Sequence, residues 1–317
     1  MHSLHSASQH TPINAAALAD SDGTSHAERL LRAAHALLPH LQRGQSVDAG
    51  VLRSAMTAAF DGASDATGAW NWKDAYEAAE CAQVLFLAKH LGAIRANAKS
   101  PARLIAMADK IAGLFPTHTR RSEESQTLQQ FSTPLHLALL VADAARITAA
   151  DIVLEPSAGT GQLAVHAAQA GAALHLNELA GSRAGLLEQL FPAATVTRHN
   201  AEHIHDLLDD ALAPSVVIMN PPFSASPNIA DTRVGVDLRH LIAALNRLAP
   251  GGRLVAITSH ELHHMNPRYQ SGFARISEMA TLRYRSSLLS PIFCCLCRSW
   301  PGSHVLGRNH IERTRAP

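Results

Sequence analysis

Aromatic residues are scarce in this chain: phenylalanine, tyrosine and tryptophan together make up 4% of its 317 residues. That excludes a broad base-stacking platform of the kind that grips single-stranded nucleic acid. An excess of one charge is also lacking, because 27 Lys and Arg stand against 26 Asp and Glu, for a formal net charge of +1. Such a balance gives no electrostatic footprint that would by itself mark a nucleic-acid partner, and the 20 histidines add positive charge only below about pH 6.5. No uninterrupted apolar run approaches the ~18 residues of a membrane span, so no membrane partner is expected. Residues 1–25 have no basic start followed by an apolar stretch, and they read as a disordered leader, not a secretion signal. Four cysteines, three of them bunched at Cys294, Cys295 and Cys297, do not form a disulfide framework. A cytoplasmic location is expected.

What is present begins with helical periodicity. Over residues 26–115, the segments HAERLLRAAHALLPHL, AGVLRSAMTAAF and WKDAYEAAECAQVLFLAKHL repeat apolar residues at spacings of three and four. Asp22 or Ser25 is placed to cap the first helix and Asp48 the second. A helical domain packed on its neighbour is expected. The competing reading, a helical DNA-binding unit, lacks a recognition helix rich in Arg, Asn and Gln. Residues 116–130 are polar and read as a linker. From about residue 131 to 290 the pattern changes to alternating strand and helix, which predicts a parallel sheet with right-handed crossovers. The predicted strands are DIVL (151–154), ALHLN (173–177), ATVTR (194–198), SVVIM (215–219) and RLVAIT (253–258).

Two short strings follow predicted strands: EPSAGTG at 155–161 and NPPF at 220–223. Gly159 and Gly161 let the backbone turn sharply and approach a ligand with no Cβ in the way, and they open a helix whose free N–H groups suit a polar or anionic group. Ligands of open α/β sheets bind beyond the carboxyl ends of the strands, where both strings fall. Glu178, ending the second strand, can accept both hydroxyls of a ribose. Its spacing alone does not separate a nicotinamide cofactor from another nucleoside cofactor, but the loop is not GxGxxG. In NPPF, two prolines fix a rigid extended turn that can aim the Asn220 side-chain oxygen and a backbone carbonyl at one point. Two converging acceptors suit the two hydrogens of an exocyclic amine and draw its lone pair out of ring conjugation. Phe223 offers a face on which a flipped base can stack.

The series FSTP (131–134), EPSAGTG, Asn177-Glu178, His199-Asn200-Ala201 and NPPF resembles, in order, the motifs of amino-group DNA methyltransferases, in the gamma arrangement of N6-adenine enzymes. The resemblance spans about residues 129–260. It implies a Rossmann-like S-adenosylmethionine-dependent methyltransferase fold, with an N-terminal helical domain before it. It also implies that Thr133 and the Glu155–Gly161 loop, with Ser157, Gly159 and Gly161, surround the methionine part of the cofactor. Glu178 would hold the ribose and Asn200 and Ala201 the adenine, Asn200 standing where the family more usually has aspartate. Asn220, Pro221, Pro222 and Phe223 would receive the target amine. The helical leader and HLIAALNRLAPGGRLVAIT further resemble the methylase region that precedes strawberry-notch-type helicases on bacterial plasmids, although no GxxxxGK[ST] loop occurs in this chain.

Methylation of adenine N6 in DNA is the activity the resemblance implies. Guanine N2 in ribosomal RNA and a protein glutamine amide offer the same planar NH2, so RNA or protein is an alternative partner. A non-catalytic cofactor-binding remnant is a further alternative. It arises from the tail: 291–317 shows neither periodicity nor a clear partner strand, and is expected to be an atypical or truncated end from a shifted reading frame. The family expects an antiparallel hairpin after the fifth strand, so a sheet stopping there would leave an exposed edge. Cys294-x-x-Cys297 with His304 and His310 invites a zinc reading, but a second ligand pair at proper spacing is missing, and free thiols are expected.

Overall fold

The computed structural model describes residues 25–116, 132–222, 235–258, 262, 265–286 and 292–298. The leader up to residue 24, most of the predicted linker, Phe131, Phe223, His304 and His310 lie outside the described residues, as does everything after Arg298.

Among the described residues, four helices come first: α1 (His26–Gln42), α2 (Ala49–Ala59), α3 (Trp72–Ala98) and α4 (Pro101–Ala112). Local chemistry sets their starts. Ser25 and Glu28 exchange a capping box at α1, with the Glu28 N–H on Ser25 Oγ at 3.2 Å and the Ser25 N–H on Glu28 at 2.6 Å. Asp48 caps α2 through the Val51 N–H at 2.8 Å, and Asn71 with Asp74 forms a second capping box at α3. At 27 residues, α3 is about 40 Å long.

The chain then alternates α5 (Leu135–Ala145), β1 (Ile152–Glu155), α6 (Ala164–Gln169), β2 (Ala173–Asn177), α7 (Gly181–Leu190), β3 (Thr195–Thr197), the short α8 (Ile204–Leu207), β4 (Val216–Met219), α9 (Val236–Arg247), β5 (Arg253–Thr258), α10 (Gln270–Met279), β6 (Ala280–Ser286) and β7 (Ile292–Arg298). The sheet order is β3-β2-β1-β4-β5-β7-β6. Strands β1 to β5 run parallel, and β7 runs antiparallel to both β5 and β6. This is a Rossmann-like α/β fold with an N-terminal helical layer, and the strand order reverses between β1 and β4.

Alternate strand residues feed two cores, as the two-residue period of a strand requires. Val153, Val216, Ile218, Val255 and Ile257 pack with Val84, Leu87 and Leu91 of α3, Leu104 of α4 and Leu139 of α5. Leu154, Val217, Met219, Leu254 and Ala256 pack on the other face with Leu241, Leu245 and Ile276. Burial on both faces explains why β4 and β5 read as continuous apolar runs. A third cluster joins α1, α2 and the start of α3 to Leu186 of α7. At the amino-terminal edge Arg253 reaches Asp151 at 2.7 Å, and the Ser215 hydroxyl donates to the same carboxylate at 2.8 Å. Burial alone would raise the Asp151 pKa, but these bonds and those from Thr148 hold it down at about 2.

Two expectations are corrected. The sheet does not stop at β5: Ile292–Arg298, expected as part of an atypical tail, pairs with β5 from Arg253↔Cys297 to Thr258↔Ile292 and with β6 on its other side. Backbone pairing, which any sequence can make, supplies the partner that side-chain periodicity did not reveal. The cysteine cluster lies within this strand, and no group of three or more His, Cys, Asp or Glu among the described residues is arranged to hold a metal. Finally, the helix after the glycine loop begins only at Ala164 and has six residues. No helix among the described residues is long and apolar enough to cross a membrane.

Candidate functional site

Among the described residues, the predicted site residues on the strand-end loops gather at the carboxyl ends of β1 to β4. Strands β1 and β4 are direct neighbours, with Val153↔Val216 and Leu154↔Val217 in register. Glu155 at the end of β1 and Asn220 just past β4 therefore flank the point where the strand order reverses, the usual crevice of an open α/β sheet.

Glu155 is 2% exposed. Its Oε2 is buried without a hydrogen-bond partner among the described residues, while the Ala164 N–H donates to the carboxylate. Burial, and then the nearby charge of Glu178, push its pKa well above the ordinary carboxylate range. At the start of α6, where sequence suggested a place for a polar or anionic group, stands the Glu155 carboxylate with one orphaned oxygen, its raised pKa only partly offset by the Ala164 N–H.

The loop from Pro156 to Leu163 is laced to its neighbours. Asn177, 1% exposed, donates its amide to Pro156 O at 2.8 Å and His199 O at 2.9 Å. Its Oδ1 accepts from the His199 N–H at 2.8 Å and the Thr197 hydroxyl at 2.9 Å. One side chain thereby ties the loops after β1, β2 and β3 together. Glu178 is buried; its carboxylate accepts the Gly159 N–H at 2.9 Å and the Ala180 N–H at 2.9 Å. Each oxygen keeps a further lone pair.

The two loop glycines differ in what they permit. Gly159 has φ +57, and a Cβ there would meet only Arg183 Nη1 at 3.9 Å, so its open side faces free space. Gly161 has φ +90, but a Cβ would come within 2.5 Å of Phe191 Cε2 and 3.3 Å of Leu187 Cδ2. The glycine at 161 lets the loop press against α7 and its flank, which corrects the expectation that both glycines clear room for a ligand. Ser157 is half-buried in the same loop. Asn200 is exposed and caps the turn that follows through the Glu202 N–H at 3.1 Å, and Ala201 is buried.

Asn220 donates its amide N–H to the Thr133 hydroxyl at 3.0 Å. That bond fixes the amide, and it leaves Oδ1 buried with no partner among the described residues. A buried carbonyl oxygen without a donor is costly unless a ligand supplies one. Pro221 is buried and Pro222 half-buried behind it.

Sequence reasoning missed a set of contacts from the helical layer. Glu80 of α3 accepts the Thr160 hydroxyl at 2.7 Å on one carboxylate oxygen and the Ser132 hydroxyl on the other. Gln162 donates to Glu80 O and to Gln83 Oε1, both at 3.2 Å. Glu77 pairs with Arg183 of α7 at 2.6 Å. The available signal was a pair of glutamates one helical turn apart among small residues in YEAAECA, where an apolar stripe would otherwise continue.

No protein-family model matches the chain, and no curated protein does. Among solved structures the chain is similar to an S-adenosylmethionine-dependent O-methyltransferase from Thermotoga maritima, at 10% identity and a TM-score of 0.40, over 57% of this chain and 72% of that one. It is also similar to a modification subunit of a putative type I restriction enzyme from Vibrio vulnificus, at 15% identity and a TM-score of 0.44, over 61% and 53%. A putative RNA methyltransferase from Pyrococcus horikoshii gives 16% identity and a TM-score of 0.44, over 63% and 98%. Likeness at this level carries no functional weight, which rests with the chain's own residues.

Proposed function

We propose that the protein is an S-adenosylmethionine-dependent methyltransferase acting on the exocyclic N6 amine of adenine in DNA. The observation that carries this reading is the Asn220 amide, anchored by its N–H on Thr133 with Oδ1 buried and unpartnered at the sheet's switch point. An acceptor oriented in this way awaits an N–H donor, and an exocyclic amine is one.

The cleft beside Asn220 fits the cofactor in three respects. The free Oε2 of Glu155 suits the ammonium of a methionine moiety, since it is an orphaned acceptor under strong pressure to find a cation or a proton. Glu178 retains lone pairs for ribose hydroxyls while its bonds to Gly159 and Ala180 hold it still. The open side of Gly159 leaves room for close approach. When bound, S-adenosylmethionine would supply an electrophilic methyl group. Asn220 and a backbone carbonyl of the Asn-Pro-Pro turn would accept the two amine hydrogens, orient the nitrogen lone pair and raise its nucleophilicity without a general base. The rigid prolines limit the reorganisation this requires. Phe223, outside the described residues, is assigned to stacking against the target base.

The test offers methyl-labelled S-adenosylmethionine with DNA, RNA and protein pools, followed by digestion and identification of the labelled product. N6-methyladenine from DNA supports the proposal, and Asn220→Ala should abolish it while changing cofactor affinity no more than about threefold, because Asn220 is assigned to the target alone. Label in N2-methylguanine of RNA or in protein glutamine would move the substrate assignment and keep the chemistry. Cofactor binding with no transfer to any pool would leave a non-catalytic remnant.

A further inference from the structure

We propose that Glu80 is a positioning residue that sets both halves of the site at once, so that the N-terminal helical layer is part of the catalytic architecture and not a detachable recognition module. This rests on the methyltransferase reading above.

The two oxygens of its carboxylate do different jobs. Oε2 accepts the hydroxyl of Thr160, which sits between the two glycines of the cofactor loop. Oε1 accepts the hydroxyl of Ser132, whose neighbour in the chain is Thr133, the residue that anchors the Asn220 amide. A continuous path of bonds therefore runs from the cofactor loop, through one carboxylate of α3, to the acceptor assigned to the target amine. The main chain of the same turn adds a third tie through Gln162. Glu80, Thr160 and Gln162 are all buried, so water does not compete well for these bonds, and charge-assisted bonds in such surroundings are strong.

Its surroundings make Glu80 a support and not a ligand. Both oxygens are occupied by hydroxyl donors held on loops. Glu77, one turn earlier, grips Arg183 on α7, so α3 is tied to α7 as well. Further along, Arg95 reaches Asp143 of α5 at 2.6 Å and Ala88 O receives Gln169 at 2.7 Å. The helix thus has independent anchors, and loss of Glu80 should leave it docked.

The split between the two oxygens gives the test, made on the full chain. Thr160→Val cuts the cofactor arm and should raise the KM for S-adenosylmethionine at least tenfold with little change in kcat. Ser132→Ala cuts the Asn220 arm and should lower kcat at least tenfold with little change in that KM. Glu80→Ala should do both. It should also speed amide hydrogen exchange over residues 157–163 in the ligand-free protein, while exchange in β1, β4 and β5 stays as in wild type. Glu80→Gln can accept one hydroxyl and donate to the other, so it should return both parameters to within about threefold of wild type.

A merely structural role would move stability without separating KM from kcat, and Gln would rescue nothing specific. The proposal is overturned if Glu80→Ala leaves loop exchange and both kinetic constants unchanged, or if Thr160→Val and Ser132→Ala have the same effect as each other. Those outcomes, seen in a wild type that binds and transfers methyl groups, sink the positioning role alone. A wild type that binds no S-adenosylmethionine sinks the functional reading and this inference together.

Discussion

Glu155 and Asn220 flank the same switch point with opposite needs. One is an acid with a free oxygen and a pKa raised first by burial and then by Glu178; the other is a neutral amide with a free acceptor. A carboxyl group whose folded pKa is raised carries more protons at neutral pH than an exposed one. A cation brought beside it favours the carboxylate, so cofactor binding should release a proton. Calorimetry of S-adenosylmethionine binding in two buffers of very different ionisation enthalpy should give different apparent heats, and Glu155→Gln should abolish the difference. Equal heats for the wild type would mean that Glu155 does not meet the cationic part of the ligand. Thr133, expected beside the cofactor, meets Asn220, but the gathering of Glu155, Glu178 and Asn220 at the strand ends was legible, because each stands in a short string that follows a predicted strand. Asn177 and Glu80 were not. Glu80 lies 80 positions before the hydroxyl of Thr160, and no local spacing records a contact made across two layers of the fold.

Among the elements, the loop from β1 to α6 shows how a glycine can be required by packing more than by a ligand. Gly161 combines φ +90 with Phe191 where a Cβ would go. Gly161→Ala should therefore cost on the order of 2–4 kcal/mol of stability, backbone strain and overpacking together, read from the urea midpoint. Phe191→Leu in the same chain should recover part of that loss, whereas Gly159→Ala should cost less because only strain is involved. The hairpin β6–β7 carries a second prediction. Removing residues 287–317 takes away every bond that β7 makes to β5, from Thr258 to Arg253. The shortened chain should self-associate or lose cooperative unfolding, measured by light scattering and urea titration. A monomeric chain of unchanged midpoint would show β7 to be dispensable. Strands β1 to β5 were readable because burial on both faces demands apolar runs. IFCCLCR does not alternate, but it is a short apolar run between Ser290-Pro291 and Pro301-Gly302, which is consistent with a buried strand; its partner follows from β5 needing a neighbour.

For the whole molecule, acid sensitivity follows from two buried histidines. Burial, with the charge of Arg95 adding to it, lowers the His166 pKa to about 3. Burial likewise lowers His240 to about 4, against an opposing pull from Glu202. Both folded values lie below the ordinary 6.5, so the unfolded chain binds more protons between those limits. Stability is then fully present above about pH 6.5 and is lost as pH falls toward 4 and then 3, by on the order of 3–5 kcal/mol for each histidine. Urea midpoints at pH 7, 5.5 and 4.5 should fall in that order, and His166→Gln with His240→Gln should flatten the trend. An unchanged midpoint across this range would contradict the buried, neutral state of both rings. The fold class was legible at this scale from the change of periodicity near residue 131, and a helical domain packed on its neighbour was expected, but which faces of α3 and α4 meet the sheet was not legible. A helix face looks the same in sequence whether it meets other helices or a sheet.

The strand order has a consequence for how the protein is made. Synthesis delivers β5 by Thr258, yet its outer neighbour β7 is complete only at Arg298. On the ribosome, at ~5–20 residues per second, the nascent sheet waits roughly 2–8 s for its closing strand. During that interval the edge of β5 is open to other growing chains. Holding factors that shield it, or slow codons placed after β7 instead of before it, should decide how much of the product is recovered in active form.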